Sequence, residues 1–192
     1  SIAIPQIVSL LVMRSMLSQD GIINVMLKNA GWIQKSLPFF SNVAWARITV
    51  IVVNLWIGIP YTMMQVTGIL QNIPLELYEA AEVDGAGPVI RFFKITLPYM
   101  LFVTTPYLIT TFTANINNFN IVYLLTKGDP VLSGNTAGKT DLLVTWLYKM
   151  TVDYQYYNLG AVIGIMTFVF LAIGSLLVYR RTKSYKDEEG FQ

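Results

Sequence analysis

An all-α bundle of membrane-spanning helices is the fold class that the sequence predicts, on three observations. Only 12% of the 192 residues are charged and 54% are hydrophobic, where a soluble domain carries about 25% charged residues. The mean hydropathy is +0.53. Three runs, Ile48 to Leu75, Ile95 to Thr126 and Tyr154 to Tyr179, contain no charged residue. Each exceeds the roughly 20 residues that a helix needs to cross the hydrocarbon core. Ser1 to Met13 is also uncharged but too short to cross alone, and the chain opens on Ser without a charged leader. It reads as a piece that begins inside a further span rather than as a signal peptide, so the expectation is a polytopic fragment with about four spans.

Absences narrow the function classes. The chain has no Cys and no His, which excludes disulfides, thiolate nucleophiles, imidazole bases and the commonest zinc ligands. No catalytic residue and no metal site is therefore expected. The net charge of +2 is scattered along the chain, giving no footprint for nucleic acid. No sustained repeat or low-complexity run is present.

Taken in order, the spans alternate with three polar connections. The first, about Ser18 to Asn42, contains Gly21, Gly31, Pro38 and the apolar stretch Ile22 to Leu27, a pattern that predicts a short interfacial helix and turns. In the span that follows, Asn54, Gly58, Tyr61 and Gln65 recur at helical spacing as one polar face, interrupted by Pro60. Next comes the loop Glu79-Ala80-Ala81-Glu82-Val83-Asp84-Gly85, closed by Ile95-Thr96-Leu97-Pro98. Pro74 fits the first turn of a helix, Glu76 and Glu79 favour its positive end, and Gly85 supplies a stop. A second short helix is expected from Pro88, with Val89, Phe92 and Phe93 on its apolar face, ending near Lys94 and giving way to Pro98. On pattern alone this is either a structured connection with solvated acids or a docking element.

The next span carries a second polar face of Thr111, Asn115 and Asn118. Polar groups at membrane depth are costly unless they meet each other, water or a ligand, so the two faces are either interhelical hydrogen bonds or the lining of a pathway. Amides and a Tyr ring without a fixed charge suit neutral, hydroxyl-rich solutes. The third connection, about Lys127 to Asp153, opens with the turn signal Lys127-Gly128-Asp129-Pro130. It then offers Thr140 as N-cap of a surface helix from Asp141 to Tyr148, with Trp146 and Tyr148 at the interface. After the last span comes Arg180-Arg181-Thr182-Lys183-Ser184-Tyr185-Lys186.

A cytoplasmic tail puts Arg91, Lys94, Arg180, Arg181, Lys183 and Lys186 inside, against Arg14, Lys28, Lys35, Arg47, Lys127, Lys139 and Lys149 outside. The positive-inside rule is undecided by that count, and the dense cluster abutting the last span favours a cytoplasmic tail.

Glu79-Ala80-Ala81, three residues, Gly85, nine residues and then Ile95-Thr96-Leu97-Pro98 resembles the complete signature loop of the membrane subunits of bacterial ABC importers that use an external binding protein. The resemblance implies a type I permease core over residues 1–192 in the bacterial cytoplasmic membrane, with residues 72–98 as a cytoplasmic coupling loop. Glu79, Ala80, Ala81, Asp84, Gly85, Ile95, Leu97 and Pro98 would then face the ATP-hydrolysing subunit, Glu79 pairing with a basic residue there. The implied partners are a second homologous permease subunit, a cytoplasmic ABC ATPase dimer that holds ATP and Mg, an extracytoplasmic sugar-binding protein and the lipid bilayer. This chain would carry no cofactor and perform no bond chemistry, and its C-terminus would be cytoplasmic.

A second similarity is misleading. Gly134-Asn135-Thr136-Ala137-Gly138-Lys139-Thr140 looks like a phosphate-binding P-loop, but three residues stand where that motif needs four, and Ser133 occupies the required Gly position. The segment also follows a turn rather than a strand, so no nucleotide site is expected here.

Within the importer family, Asn54-Leu55-Trp56-Ile57-Gly58-Ile59-Pro60-Tyr61, Asn115-Ile116-Asn117-Asn118-Phe119 and Thr140-Asp141-Leu142-Leu143-Val144 are similar to the larger membrane subunits of maltose/maltodextrin importers. That resemblance implies a sugar site near mid-membrane lined by Asn54, Ile57, Gly58, Tyr61, Thr111, Ala114, Asn115 and Asn118. Two positions depart from the pattern. Ala114 stands where an aromatic stacking residue is expected, and Thr111 replaces a smaller hydroxyl residue, which leaves open both a weaker stack and a site widened for longer dextrins. The alternatives are a permease for another neutral sugar or a sugar alcohol, and a secondary transporter. The last would place ionisable residues inside its spans, and none lies in Ile48 to Leu75 or Ile95 to Thr126.

Overall fold

The structure, a computed structural model, describes residues 4–181; the tail cluster from Thr182 to Lys186, on which the orientation reading leans, lies outside the described residues. Helices follow one another in the order α1 (Gln6–Met16), α2 (Ile22–Asn29), α3 (Val43–Leu70), α4 (Leu75–Val83), α5 (Pro88–Arg91), a π-helical segment (Phe92–Thr96), α6 (Leu97–Ile116) and α7 (Phe119–Leu125). Then come α8 (Leu143–Tyr148), a second π segment (Lys149–Asp153) and α9 (Tyr157–Arg181). No strand occurs among the described residues.

Among the described residues, three stretches are long and apolar enough to cross a membrane: Val43–Leu70, Pro88–Leu125 and Tyr157–Arg180. The expected fourth span corresponds to α1, which has 11 residues and would extend about 16 Å. None of the most apolar 18-residue window of α9 is buried within the chain, so its hydrophobic surface needs lipid or other chains as solvent.

Helix boundaries differ from the charge-free runs for local reasons. α3 begins before Ile48 because the Asn42 side-chain oxygen accepts from the Ala44 and Trp45 amides at 3.0 and 3.3 Å, capping the first turn. Arg47 is thereby inside the helix, its Nε donating to the Lys139 carbonyl at 3.1 Å. At the other end the Asn72 amide donates to the Gly68 carbonyl at 2.8 Å, satisfying one last-turn acceptor. Pro60 removes one amide donor, yet α3 runs unbroken through it.

The second loop helix does not end near Lys94. It passes from α5 through the π segment straight into α6, with the Leu97 amide reaching the Phe92 carbonyl five residues back. That wide turn immediately precedes Pro98, which has no N–H to give and whose ring would crowd a normal turn. The run Ile95 to Thr126 is likewise two helices, because Asn118 leaves helical geometry (φ −80, ψ 81) and caps α7 by accepting from the Ile121 amide at 3.4 Å.

The described residues form two compact units: 4–60 with 115–169, and 61–114 with 170–181. In the first, Leu10, Val53, Ile121 and Leu125 make a buried cluster against which Met13, Phe40 and Ile57 pack. Asn24, 0% exposed, holds the first connection by donating to the Ser18, Gln19 and Leu37 carbonyls and accepting from the Leu37 amide. In the second, hydroxyl pairs tie helices together: Thr62 with Tyr107 at 3.1 Å, Thr113 with Ser175 at 3.2 Å and Tyr78 with Thr96 at 2.8 Å.

Thr140 is not a helix cap. It is buried, with its hydroxyl donating to the Asp129 carbonyl at 2.7 Å and paired with the Thr126 hydroxyl at 2.8 Å. The cap of α8 is built from the other side: the Thr145 hydroxyl accepts from the Leu142 amide at 2.9 Å and donates to Asp141. Asp141 also accepts from the Gly138 amide and from the Lys149 ammonium, each at 2.7 Å. Left-handed Lys127 (φ 54) and Gly128 (φ 85) turn the chain into this knot, next to a cis Asp129-Pro130 bond.

Candidate functional site

The signature loop belongs to the second unit. α4 ends in a Schellman motif: Gly85 (φ +74) donates to the Glu82 carbonyl at 3.0 Å and Ala86 to the Ala81 carbonyl at 2.8 Å. A side chain at Gly85 would meet nothing within 4 Å, so the glycine is demanded by its backbone angle rather than by crowding. Gly87 then leads into Pro88 at the first position of α5.

Helical spacing divides α4 into two faces. Tyr78 and Ala81 are partly buried, and the Tyr78–Thr96 hydroxyl bond pins that face to the π segment. Glu76, Glu79, Ala80 and Val83 share the opposite face and are exposed, Val83 to 89%. Glu82 pairs with Arg91 at 3.2 Å across the glycine bend. No ion pair to Glu76, Glu79 or Asp84 exists among the described residues. Among the closing residues, Ile95 and Leu97 are partly buried while Pro98 is exposed.

In the first unit three amides of the polar faces meet. Asn54 Nδ2 donates to Asn115 Oδ1 at 2.8 Å, and Asn118 Nδ2 donates to Asn54 Oδ1 at 3.4 Å. The side-chain oxygen of Asn118 accepts from the Ile121 amide as the α7 cap, so one side chain joins the amide cluster to the helix break. Asn115 is exposed and Asn54 and Asn118 are partly so, leaving the cluster open to a ligand. Ile57 leans on the apolar cluster, and a Cβ at Gly58 would meet nothing within 4 Å.

The remaining expected residues lie in the second unit. Tyr61 is 47% exposed, Thr111 is partly buried and Ala114 is exposed, so no aromatic ring stands at 114. Sequence reasoning missed the neighbouring Thr62–Tyr107 pair and the Glu82–Arg91 pair. The first had no signal beyond two hydroxyls on separate spans; the second could have been read from opposite charges flanking a glycine stop.

The P-loop lookalike is folded against phosphate binding. Its Gly138 amide is taken by the Asp141 carboxylate, and the Lys139 and Thr140 amides by the Pro130 and Gly128 carbonyls. No group of three potential metal ligands occurs among the described residues.

Comparison with known proteins adds to this geometry. Residues 1–184 match the family described as binding-protein-dependent transport system inner membrane component. The galactooligosaccharides transport system permease protein GanP of Bacillus subtilis is 44% identical over 152 residues, 79% of this chain and 36% of that protein. The maltose/maltodextrin transport system permease protein MalF of Salmonella typhimurium is 42% identical over 182 residues, 92% of this chain and 35% of that protein. The chain thus spans about one third of the length of these curated relatives. Among solved structures, a bacterial alginate ABC transporter in complex with an alginate pentasaccharide-bound periplasmic protein superposes with a TM-score of 0.77 at 22% identity, over 95% of this chain and 62% of that one. At that identity the likeness speaks for the fold.

Proposed function

Since the chain belongs to the family of binding-protein-dependent transport system inner membrane components, we propose that it is part of a permease subunit of an ATP-driven importer of neutral oligosaccharides of the maltodextrin type. The observation that carries this reading is the loop 72–98: the full signature spacing, folded as helix, Schellman turn and helix, with Glu79 and Val83 turned outward together. Similarity to GanP and MalF supports a neutral oligosaccharide as cargo. The uncharged amide cluster Asn54, Asn115 and Asn118 supports it independently, since its donors and acceptors match sugar hydroxyls.

In this mechanism a loaded extracytoplasmic binding protein docks outside, and an ABC ATPase dimer closes on ATP and Mg in the cytoplasm. The α4–α5 element carries the closure to α6, while a second homologous permease subunit completes the path. Asn54, Ile57, Gly58, Tyr61, Thr111, Ala114, Asn115 and Asn118 line the sugar's route; sugar hydroxyls replace the amide–amide bonds, so the faces are satisfied whether or not sugar is present. The chain itself makes and breaks no covalent bond. Both loop 72–98 and the C-terminus are cytoplasmic.

The test is sugar uptake and ATPase retention by the assembled transporter carrying Glu79→Ala. Loss of both is expected, and unchanged uptake with intact assembly would remove the docking role. For the path, Asn115→Ala and Tyr61→Ala should weaken sugar binding without disturbing assembly; unaltered affinity would reduce these faces to packing.

A further inference from the structure

Beside the N-terminal end of α3, the first unit holds a cavity of about 480 Å³ that the reading above does not use. This lies within the roughly 300–1,000 Å³ of small-molecule sites. One wall is the segment 36–41 and the other is 129–131, with Gln19 at the rim. Both walls are held before any ligand arrives. Buried Asn24 grips Leu37 through its amide and its carbonyl, at 2.8 and 3.2 Å. Phe39 stands edge-on to Trp45 at 5.7 Å, and Phe40 packs on the buried apolar cluster. Opposite, the Asp129 carbonyl accepts from Thr140 at 2.7 Å and the Pro130 carbonyl from the Lys139 amide at 2.9 Å.

The lining is chemically mixed. The lining residues include the aromatic Phe39 and Phe40, the neutral polar Gln19, Ser36 and Ser41, and the acidic Asp129, with no Lys or Arg among them. Aromatic surface beside neutral hydrogen-bonding groups matches the two kinds of face that a pyranose presents. A carboxylate accepts hydroxyl donors strongly and repels anions, so the same lining disfavours acidic sugars.

We propose that this cavity is an outer subsite that takes the end of a neutral oligosaccharide, with Asp129 discriminating against uronate sugars. The proposal rests on the sugar-import reading, and the experiment separates the two. The chain has no Cys, so Ser36→Cys places a single thiol in the wall as a direct reporter. In the assembled transporter with its path weakened by Asn115→Ala, maltodextrin should protect that thiol from a polar maleimide. An alginate oligosaccharide of equal length should not. Adding Gln19→Ala with Asp129→Ala should raise the protecting sugar concentration at least tenfold, and Asp129→Asn alone should admit the acidic sugar.

No protection by neutral sugar, while the transporter without these substitutions still imports it, overturns the subsite and leaves the import reading standing. Failure of that transporter to import or bind any sugar overturns both. Protection by the binding protein alone, whether or not sugar is present, would assign the cavity to a docked protein loop and also overturn the proposal.

Discussion

Residues 126–149 and residues 71–97 both connect spans, yet they dispose of their polar groups differently. In the first, Thr126, Thr140, Asp141, Thr145 and Lys149 bond one another or the loop backbone, and the Asp141–Lys149 pair is nearly shut off from solvent, at 3% and 12% side-chain exposure. In the second, Glu76, Glu79 and Asp84 have no ion-pair partner among the described residues, while Leu75, Val83, Val89 and Phe93 stand exposed beside them. A segment that satisfies itself is a fold element. One that leaves acids and large apolar groups side by side suits the docking role proposed above. Substitutions in the two should therefore fail in different assays.

Asp141→Ala should have the largest effect on stability. Removing one partner of a buried pair typically costs about 3–5 kcal/mol, and here it also strands Lys149 and the Gly138 amide. Thermal unfolding in detergent measures it, and an unmoved Tm would mean that the pair is solvated. Gly85→Ala should cost about 1–2 kcal/mol through the left-handed angle alone. Because Asn tolerates that angle, Gly85→Asn should recover most of the loss; equal damage from both would put the problem in the docking contact. Tyr78→Phe removes one hydroxyl bond to Thr96 and should cost about 1 kcal/mol, read as lower transport per ATP hydrolysed if the clamp transmits motion. Glu79→Ala should change stability least, within about 0.5 kcal/mol, while abolishing ATPase retention. Retention without Glu79 would erase the contrast between the loops.

Much of this organisation is legible in the amino acids because single residues decide it. Pro88 can open a helix and Gly85 can close one, whatever surrounds them, and a charge-free run of sufficient length has few alternatives to a span. What escapes is set by partners distant in the chain. Thr140 looks like a cap by local pattern, but its hydroxyl is claimed by Asp129 and Thr126. Asn118 reads as one more member of a polar face, and only its folded backbone and its bond from the Ile121 amide reveal that it also starts α7. The π segment is invisible for a third reason. Pro98 predicts a disturbance, and a wider turn is one of several ways to absorb it.

That wider turn has a mechanical consequence. Pro88 to Ile116 forms a rod without a break, about 43 Å long at 1.5 Å per residue. A rod of that length tilted by about 5° moves its far end by about 4 Å, comparable to the spacing of adjacent helix turns. The over-wide turn lies near one tip, where the Tyr78 hydroxyl holds Thr96. If a docked ATPase pushes the loop, as proposed above, the push acts on the short arm of a lever whose long arm is α6.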